Sequence, residues 1–156
     1  MDEQDIQKFV EIAKQFCTWI EGSPDDAELE IAAIQRLLAD LHAAVVRLED
    51  LECGDVMEDE VSTEYWKLVR ERFINLPFDG YWDIFDPLDL EPEPPVFNLL
   101  SDDLADIYGD VKEGLLLYEK GFVVEAVWQW RFTFSTHWGH HLTGAQRAVH
   151  CYLSNY

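Results

Sequence analysis

The sequence predicts an all-α fold, a single-domain helical bundle of five to six helices with a proline-rich ordered loop between the third and fourth. Three observations carry that expectation. Apolar residues recur at helical spacing along most of the chain. The length, 156 residues, matches one domain, so residues 1–156 are read as a single unit. All six prolines precede residue 96 and gather at helix edges or in one segment. With 48% hydrophobic residues, including six Trp and nine Phe, the chain has the material for a core that buries roughly 70% of its unfolded surface.

The first helix is predicted from about Asp2 to Glu21, because Ile6, Phe9, Val10, Ala13, Phe16, Cys17 and Ile20 share one face. Gly22 stops it. Ser23-Pro24-Asp25-Asp26 reads as the start of the next helix, with a hydroxyl cap, Pro in the first turn and acids at the positive dipole end. Its stripe is Ala27, Ile31, Ile34, Leu38, Leu41, Val45 and Leu48. After a polar connection from Glu52 to Glu60, a third helix is predicted at about Val61 to Ile74, with Tyr65, Trp66, Leu68, Val69 and Phe73 as its apolar side. Pro87, Pro92, Pro94 and Pro95 then make residues of about 77–100 an irregular acidic loop. Its aromatic residues, Tyr81, Trp82, Phe85 and Phe97, are expected to turn inward and pin it, since large apolar side chains are usually buried. Ser101 reads as the cap of a fourth helix, about Asp102 to Lys120, closed by Gly121. From about Val123 to Tyr152 the pattern fits one long helix, or two broken near Gly139 or Thr143-Gly144. The β-formers at Val123-Val124 and Arg131 to Phe134 fit a 3.6-residue period better than a strand.

Charge narrows the classes of partner. Thirty-two acids against eleven Lys or Arg give a formal −21. No basic stripe exists to collect counterion-release energy from phosphates, which disfavours nucleic acid and anionic membranes. A negative field steers basic proteins or metal cations inward, or merely keeps the chain soluble. The three cysteines, Cys17, Cys53 and Cys151, are odd in number and lack CxxC spacing. No positive segment precedes an apolar stretch at the N-terminus, and no apolar run nears the roughly 18 residues that span a bilayer. A reducing cytoplasm is the expected compartment. Oligomeric state is not readable.

Four groups of residues are candidates for function. From Phe73 to Val111 there are ten acids and no Lys, Arg or His. Asp83, Asp86, Asp89, Glu91 and Glu93 lie there among aromatic residues, as a docking surface for a basic partner requires. Asp103, Asp106, Asp110 and Glu113 follow at spacings of 3, 4 and 3, one carboxylate face of the fourth helix. Four like charges cost little when water and salt screen them, so a solvated face is expected there. His137 and His141 stand at i and i+4, a spacing that lets two imidazoles hold one ion. Joined by Asp103, Asp106 or Glu113, they would form an N/O site for Zn²⁺, Mn²⁺ or Fe²⁺, although such spacing also arises by chance. Arg131 falls within the predicted core stripe of Val127, Trp130, Phe134, Trp138, Ala145, Val149 and Tyr152. A buried guanidinium needs a carboxylate, so a structural pair with Asp103 or Asp106 is expected. No nucleophile elbow or glycine-rich phosphate loop is present.

The run Ser101-Asp-Asp-Leu-Ala-Asp-Ile-Tyr108, then Glu113-Gly-Leu, Glu125-Ala-Val-Trp-Gln-Trp-Arg-Phe132 and His137-Trp-Gly-His-His141, resembles a bacterial family catalogued as domain of unknown function 5063. Tyr81-Trp-Asp-Ile-Phe-Asp-Pro87 belongs to the same likeness. The resemblance implies a small bacterial protein and brings no activity or catalytic residues with it.

The leading expectation is therefore a non-enzymatic interaction or regulatory module, immunity-like, whose acidic face binds a basic protein, with no resident cofactor. One alternative is a metal-dependent hydrolase built on the His/Asp cluster with a divalent ion. The other is a structural subunit of an oligomer.

Overall fold

Asp2 opens the first helix by accepting the Gln4 amide at 2.9 Å, and Glu3 and Asp5 add negative charge where the helix dipole favours it. The computed structural model describes residues 1–52, 64–91 and 93–155. Helix α1 spans Glu3–Ile20 and buries the predicted stripe together with Ile12. Helix α2 spans Ala27–Val45, packs against α1 and α6, and buries Ile31, Ile34, Leu38, Leu41 and Val45. Its cap is Asp26, whose carboxylate accepts the Glu28 amide at 3.0 Å, and not Ser23. Asp26 directly precedes the first helical residue, Ala27, while Ser23 stands three residues earlier.

Helix α3, Tyr65–Arg72, is short. The predicted start at Val61, the polar connection before it, and Cys53 fall at 53–63, outside the described residues. Val69 and Phe73 are buried as expected, while Leu68 is exposed. Arg72 is buried against Glu30 of α2, donating to both carboxylate oxygens at 2.5 and 3.0 Å. Its Nε donates to the Trp19 carbonyl at 3.2 Å, and its guanidinium lies 5.1 and 4.9 Å from the Trp19 and Phe73 ring centres.

Two strands, β1 Gly80–Asp83 and β2 Val96–Leu99, lie within the segment read as irregular and pair as an antiparallel ribbon. Trp82 faces Phe97 across it, their rings 5.2 Å apart edge to face. Phe97 covers Gly80, where an added Cβ would fall 2.1 Å from its ring. The expected inward turn of the aromatic side chains holds in part: Tyr81 is half-buried, but Trp82, Phe85 and Phe97 are 71%, 70% and 58% exposed. A two-stranded ribbon has an outer face, and alternation puts Trp82 and its partner there.

Helix α4, Leu100–Glu119, runs through the middle of the molecule and packs against α1, α3, α5 and α6. Ser101 is inside this helix and is itself held by Asp79, whose carboxylate accepts its amide at 2.8 Å and its hydroxyl at 2.9 Å. Gly121, at φ +90°, closes α4 in a conformation that favours glycine. Helix α5, Val123–Thr133, follows and is close to α4 at Gly114, where an added Cβ would fall 2.2 Å from the Trp130 Nε1 atom. A π-helical turn, Phe134–Trp138, then leads into α6, Gly139–Leu153. Thr133, Ser135 and Thr136 donate to carbonyls four residues back at 2.6, 3.1 and 2.9 Å, competing with the α-helical ladder. The Gly139 amide reaches the Phe134 carbonyl five residues back, and a side chain at 139 would collide with that oxygen. The chain is thus a mostly helical single domain with one small ribbon. Among the described residues, no helix is long and apolar enough to cross a membrane.

Candidate metal centre

The carboxylate face of α4 is not solvated. Because α4 is central, the side opposite Leu104, Ile107 and Val111 is covered too, by the π-helical turn and α6. The Asp103 side chain is 4% exposed, and those of Asp106 and Asp110 are 15% and 17% exposed. Glu113, one turn further on, leaves the group and accepts from the Gln129 amide at 2.9 Å.

His137 sits on the π-helical turn and His141 one turn later in α6. Each ring uses its two nitrogens in the same way. His137 Nδ1 lies 2.6 Å from Asp110 Oδ2, and its Nε2 lies 3.6 Å from Asp106 Oδ1. His141 Nδ1 lies 2.8 Å from Asp103 Oδ1, and its Nε2 lies 3.2 Å from Asp106 Oδ2. The two rings meet edge to face, 4.9 Å apart. One atom each from Asp106, His137 and His141 falls within a set whose members are all within 4.8 Å of one another. Behind them, the Tyr81 hydroxyl donates to the second oxygen of Asp103. Gly144 leaves room for this phenol, since an added Cβ would stand 3.0 Å from its oxygen.

The charge here is unbalanced. Burial raises the Asp103 carboxyl above the ordinary carboxylate range, although hydrogen bonds from His141 and Tyr81 pull the other way. Burial likewise raises Asp106 and Asp110, against the lowering effect of the two histidines. For His141 burial alone would lower the imidazole, but the Asp103 hydrogen bond and the charges of Asp106, Asp103 and Asp110 hold it above its usual value. Burial and the Asp103 charge push the Tyr81 phenol up, so it stays a hydrogen-bond donor.

Four predicted residues therefore come together: Asp103, Asp106, His137 and His141. Asp110, noticed only as a member of the carboxylate row, holds the His137 ring. Tyr81, read as a loop anchor, reaches the centre from the ribbon. Arg131 does not join it; the expected pair with Asp103 or Asp106 is not formed, because its side chain reaches the end of α2. Arg131 Nη1 instead lies 3.5 Å from the Val45 carbonyl. The acids of the ribbon stay apart as well. Asp83 is half-buried, 3.5 Å from the Asn98 amide and 3.9 Å from His140 Nε2. Asp86 and Asp89 cap their own turns through the Leu88 and Glu91 amides, each at 2.9 Å, and Glu91 and Glu93 are exposed.

Fold and site together define a helical domain with a partly buried acid–histidine cluster at its central helix. The chain belongs to the family described as Domain of unknown function (DUF5063), which it matches over residues 2–155. In fold it is similar to the crystal structure of protein BF1032 from Bacteroides fragilis, with a TM-score of 0.79 and 23% identity, over 96% of this chain and 92% of that one. No curated protein matches it.

Proposed function

We propose that the chain binds one divalent first-row transition ion through Asp106, His137 and His141, with open positions at which a water can be activated for hydrolysis. The observation that carries this reading is the matched use of the two rings. Each imidazole has Nδ1 held by its own carboxylate and Nε2 turned to the same third carboxylate. A carboxylate on one ring nitrogen fixes the tautomer and leaves the other lone pair for an ion. Two imidazoles and one carboxylate with sites left over suit Fe²⁺, Mn²⁺ or Zn²⁺. Donors about 2.1 Å from one ion stand roughly 3–4 Å apart, so small side-chain rotations close the set. The His137 side chain is 47% exposed, which gives the centre an opening to water.

Elemental analysis of untagged chain, followed by titration of Zn²⁺ and Mn²⁺ calorimetrically, tests this. One ion per chain is expected in the wild type, with affinity lost in His137→Ala and Asp106→Asn. Equal binding by wild type and both variants overturns the reading.

A second reading, docking of a basic protein on the acidic ribbon, is supported by the outward-facing aromatic residues, which give the surface apolar anchors as well as charge. Retention of a partner from native lysate that is released by salt would support it, and retention of nothing at low salt would count against it.

A further inference from the structure

The ribbon and α6 border a groove of about 710 Å³, walled by Phe78, Trp82, Ile84, Pro87, Pro95 and Tyr152, with Asp83 and Arg147 as its charged lining residues. Its two sides are fixed independently. Phe78 stacks on Tyr152 at 5.2 Å, and Trp82 is braced by Phe97 across the strands. Beyond the groove the connection between β1 and β2 carries Phe85, Leu88 and Leu90 at 70%, 85% and 95% exposure. Isolated exposed apolar residues need no explanation, but a run of them beside an apolar groove does. Between these side chains stand the exposed acids Asp86, Asp89, Glu91 and Glu93.

We propose that this groove and the adjoining connection bind a cationic, amphipathic segment of another protein, whose aromatic or aliphatic anchor fills the groove while its Lys and Arg side chains meet Asp86, Asp89, Glu91 and Glu93. This rests on the second reading above and deepens it by naming the anchor site and the chemistry of the partner. Charge complementarity selects the occupant. A second copy of this chain brings −21 and the same acidic connection, so an isologous contact opposes like charges. A nucleic acid is excluded on the same ground. An uncharged apolar partner would leave the four acids crowded against a desolvated rim. A basic segment with apolar anchors satisfies both features, with the anchor supplying affinity and the acids supplying encounter rate and selectivity.

The test uses three synthetic 18-residue peptides: one combining Lys with Leu and Trp on a helical face, its counterpart with Glu for Lys, and oligolysine. Binding is read by fluorescence anisotropy at 50 and 500 mM salt, against wild type, Trp82→Ala, Leu90→Ala and the double variant Asp86→Lys/Asp89→Lys. Trp82 and Leu90 are exposed, so these variants should fold; circular dichroism and retained Zn²⁺ binding check that. The Lys/Leu/Trp peptide is expected to bind wild type, with affinity falling roughly tenfold or more in each variant. The Glu peptide should not bind, and oligolysine should bind far more weakly. Binding that Asp86→Lys/Asp89→Lys weakens but Trp82→Ala and Leu90→Ala leave unchanged overturns this inference while leaving the second reading intact, and binding unchanged in all variants defeats both. No binding at all, or oligolysine binding equally well, defeats both. A wild-type dimer in sedimentation that Trp82→Ala dissolves overturns the inference in favour of self-association.

Discussion

Glu30 and Asp103 are both buried carboxyls on helices, and the two regions around them resolve the same problem differently. At Glu30 the chain supplies its own cation. Arg72 donates to both carboxylate oxygens, its Nε donates to the Trp19 carbonyl, and its flat face lies against the Trp19 and Phe73 rings. At Asp103 three carboxyls face two imidazoles and a phenol, with no guanidinium between them as at Glu30. The first cluster is complete as folded. The second has every donor nitrogen oriented yet keeps an excess of negative charge in a covered site, and a cation from outside is what would complete it.

The largest expected effect lies in the completed cluster. Arg72→Met strands Glu30 and should destabilise the fold by about 3–5 kcal/mol. Glu30→Leu combined with Arg72→Met should regain most of that, because an apolar pair can replace a buried ion pair. Urea denaturation of the single and double variants measures it; a double variant as weak as the single one means that the pair does more than neutralise. Next comes the phenol behind the centre. Tyr81→Phe removes the donor that steadies Asp103 and should weaken Zn²⁺ binding by roughly 10- to 100-fold, the usual cost of an outer partner. An unchanged dissociation constant would show that the ribbon plays no part in shaping the site.

A smaller effect is the pH response of the ion-free chain. Asp103, Asp106 and Asp110 are raised from 3.8 and His141 from 6.5, so each holds its proton more tightly folded than unfolded. Stability from these groups is complete below those ordinary values and is lost as pH rises through the raised ones. The melting temperature should therefore fall from mildly acidic to neutral pH, and less steeply in Asp103→Asn/Asp106→Asn. A melting temperature that rises across this window in ion-free protein contradicts the assignment. The smallest effect is that of the surface pair Arg70–Asp102, at 3.5 Å and well exposed; Arg70→Ala should change stability by less than about 1 kcal/mol. A larger loss would erase the contrast between covered and open carboxyls.

What the sequence could reveal follows the same division. Helices α1 and α2 each bury one stripe against neighbours, so their periodicity was legible almost residue by residue. The spacings of Asp103 and Asp106 and of His137 and His141 were legible too, and they do converge. Their burial was not. A helical wheel separates apolar from acidic faces, but α4 is enclosed on both, which only the packing of α6 decides. Arg131 misled because position in a stripe says nothing about which neighbouring helix a long side chain reaches. Glu30 with Arg72, Tyr81 with Asp103, and Trp82 with Phe97 are contacts between distant segments, and no local period encodes them. Gly139 marked a break, but the hydroxyls of Thr133, Ser135 and Thr136, which accompany the π-helical turn, are easily passed over inside an apolar run.

That turn also sets a condition on chain length. It holds one residue more than an α-helical turn would, so deleting a single residue there would let the bulge close while α6 kept its register. His141, Leu142, Ala145 and Val149, all beyond the turn, would keep their places, but His137, on the turn itself, would lose its place beside Asp110. Length in one short stretch therefore decides whether the two rings stand together.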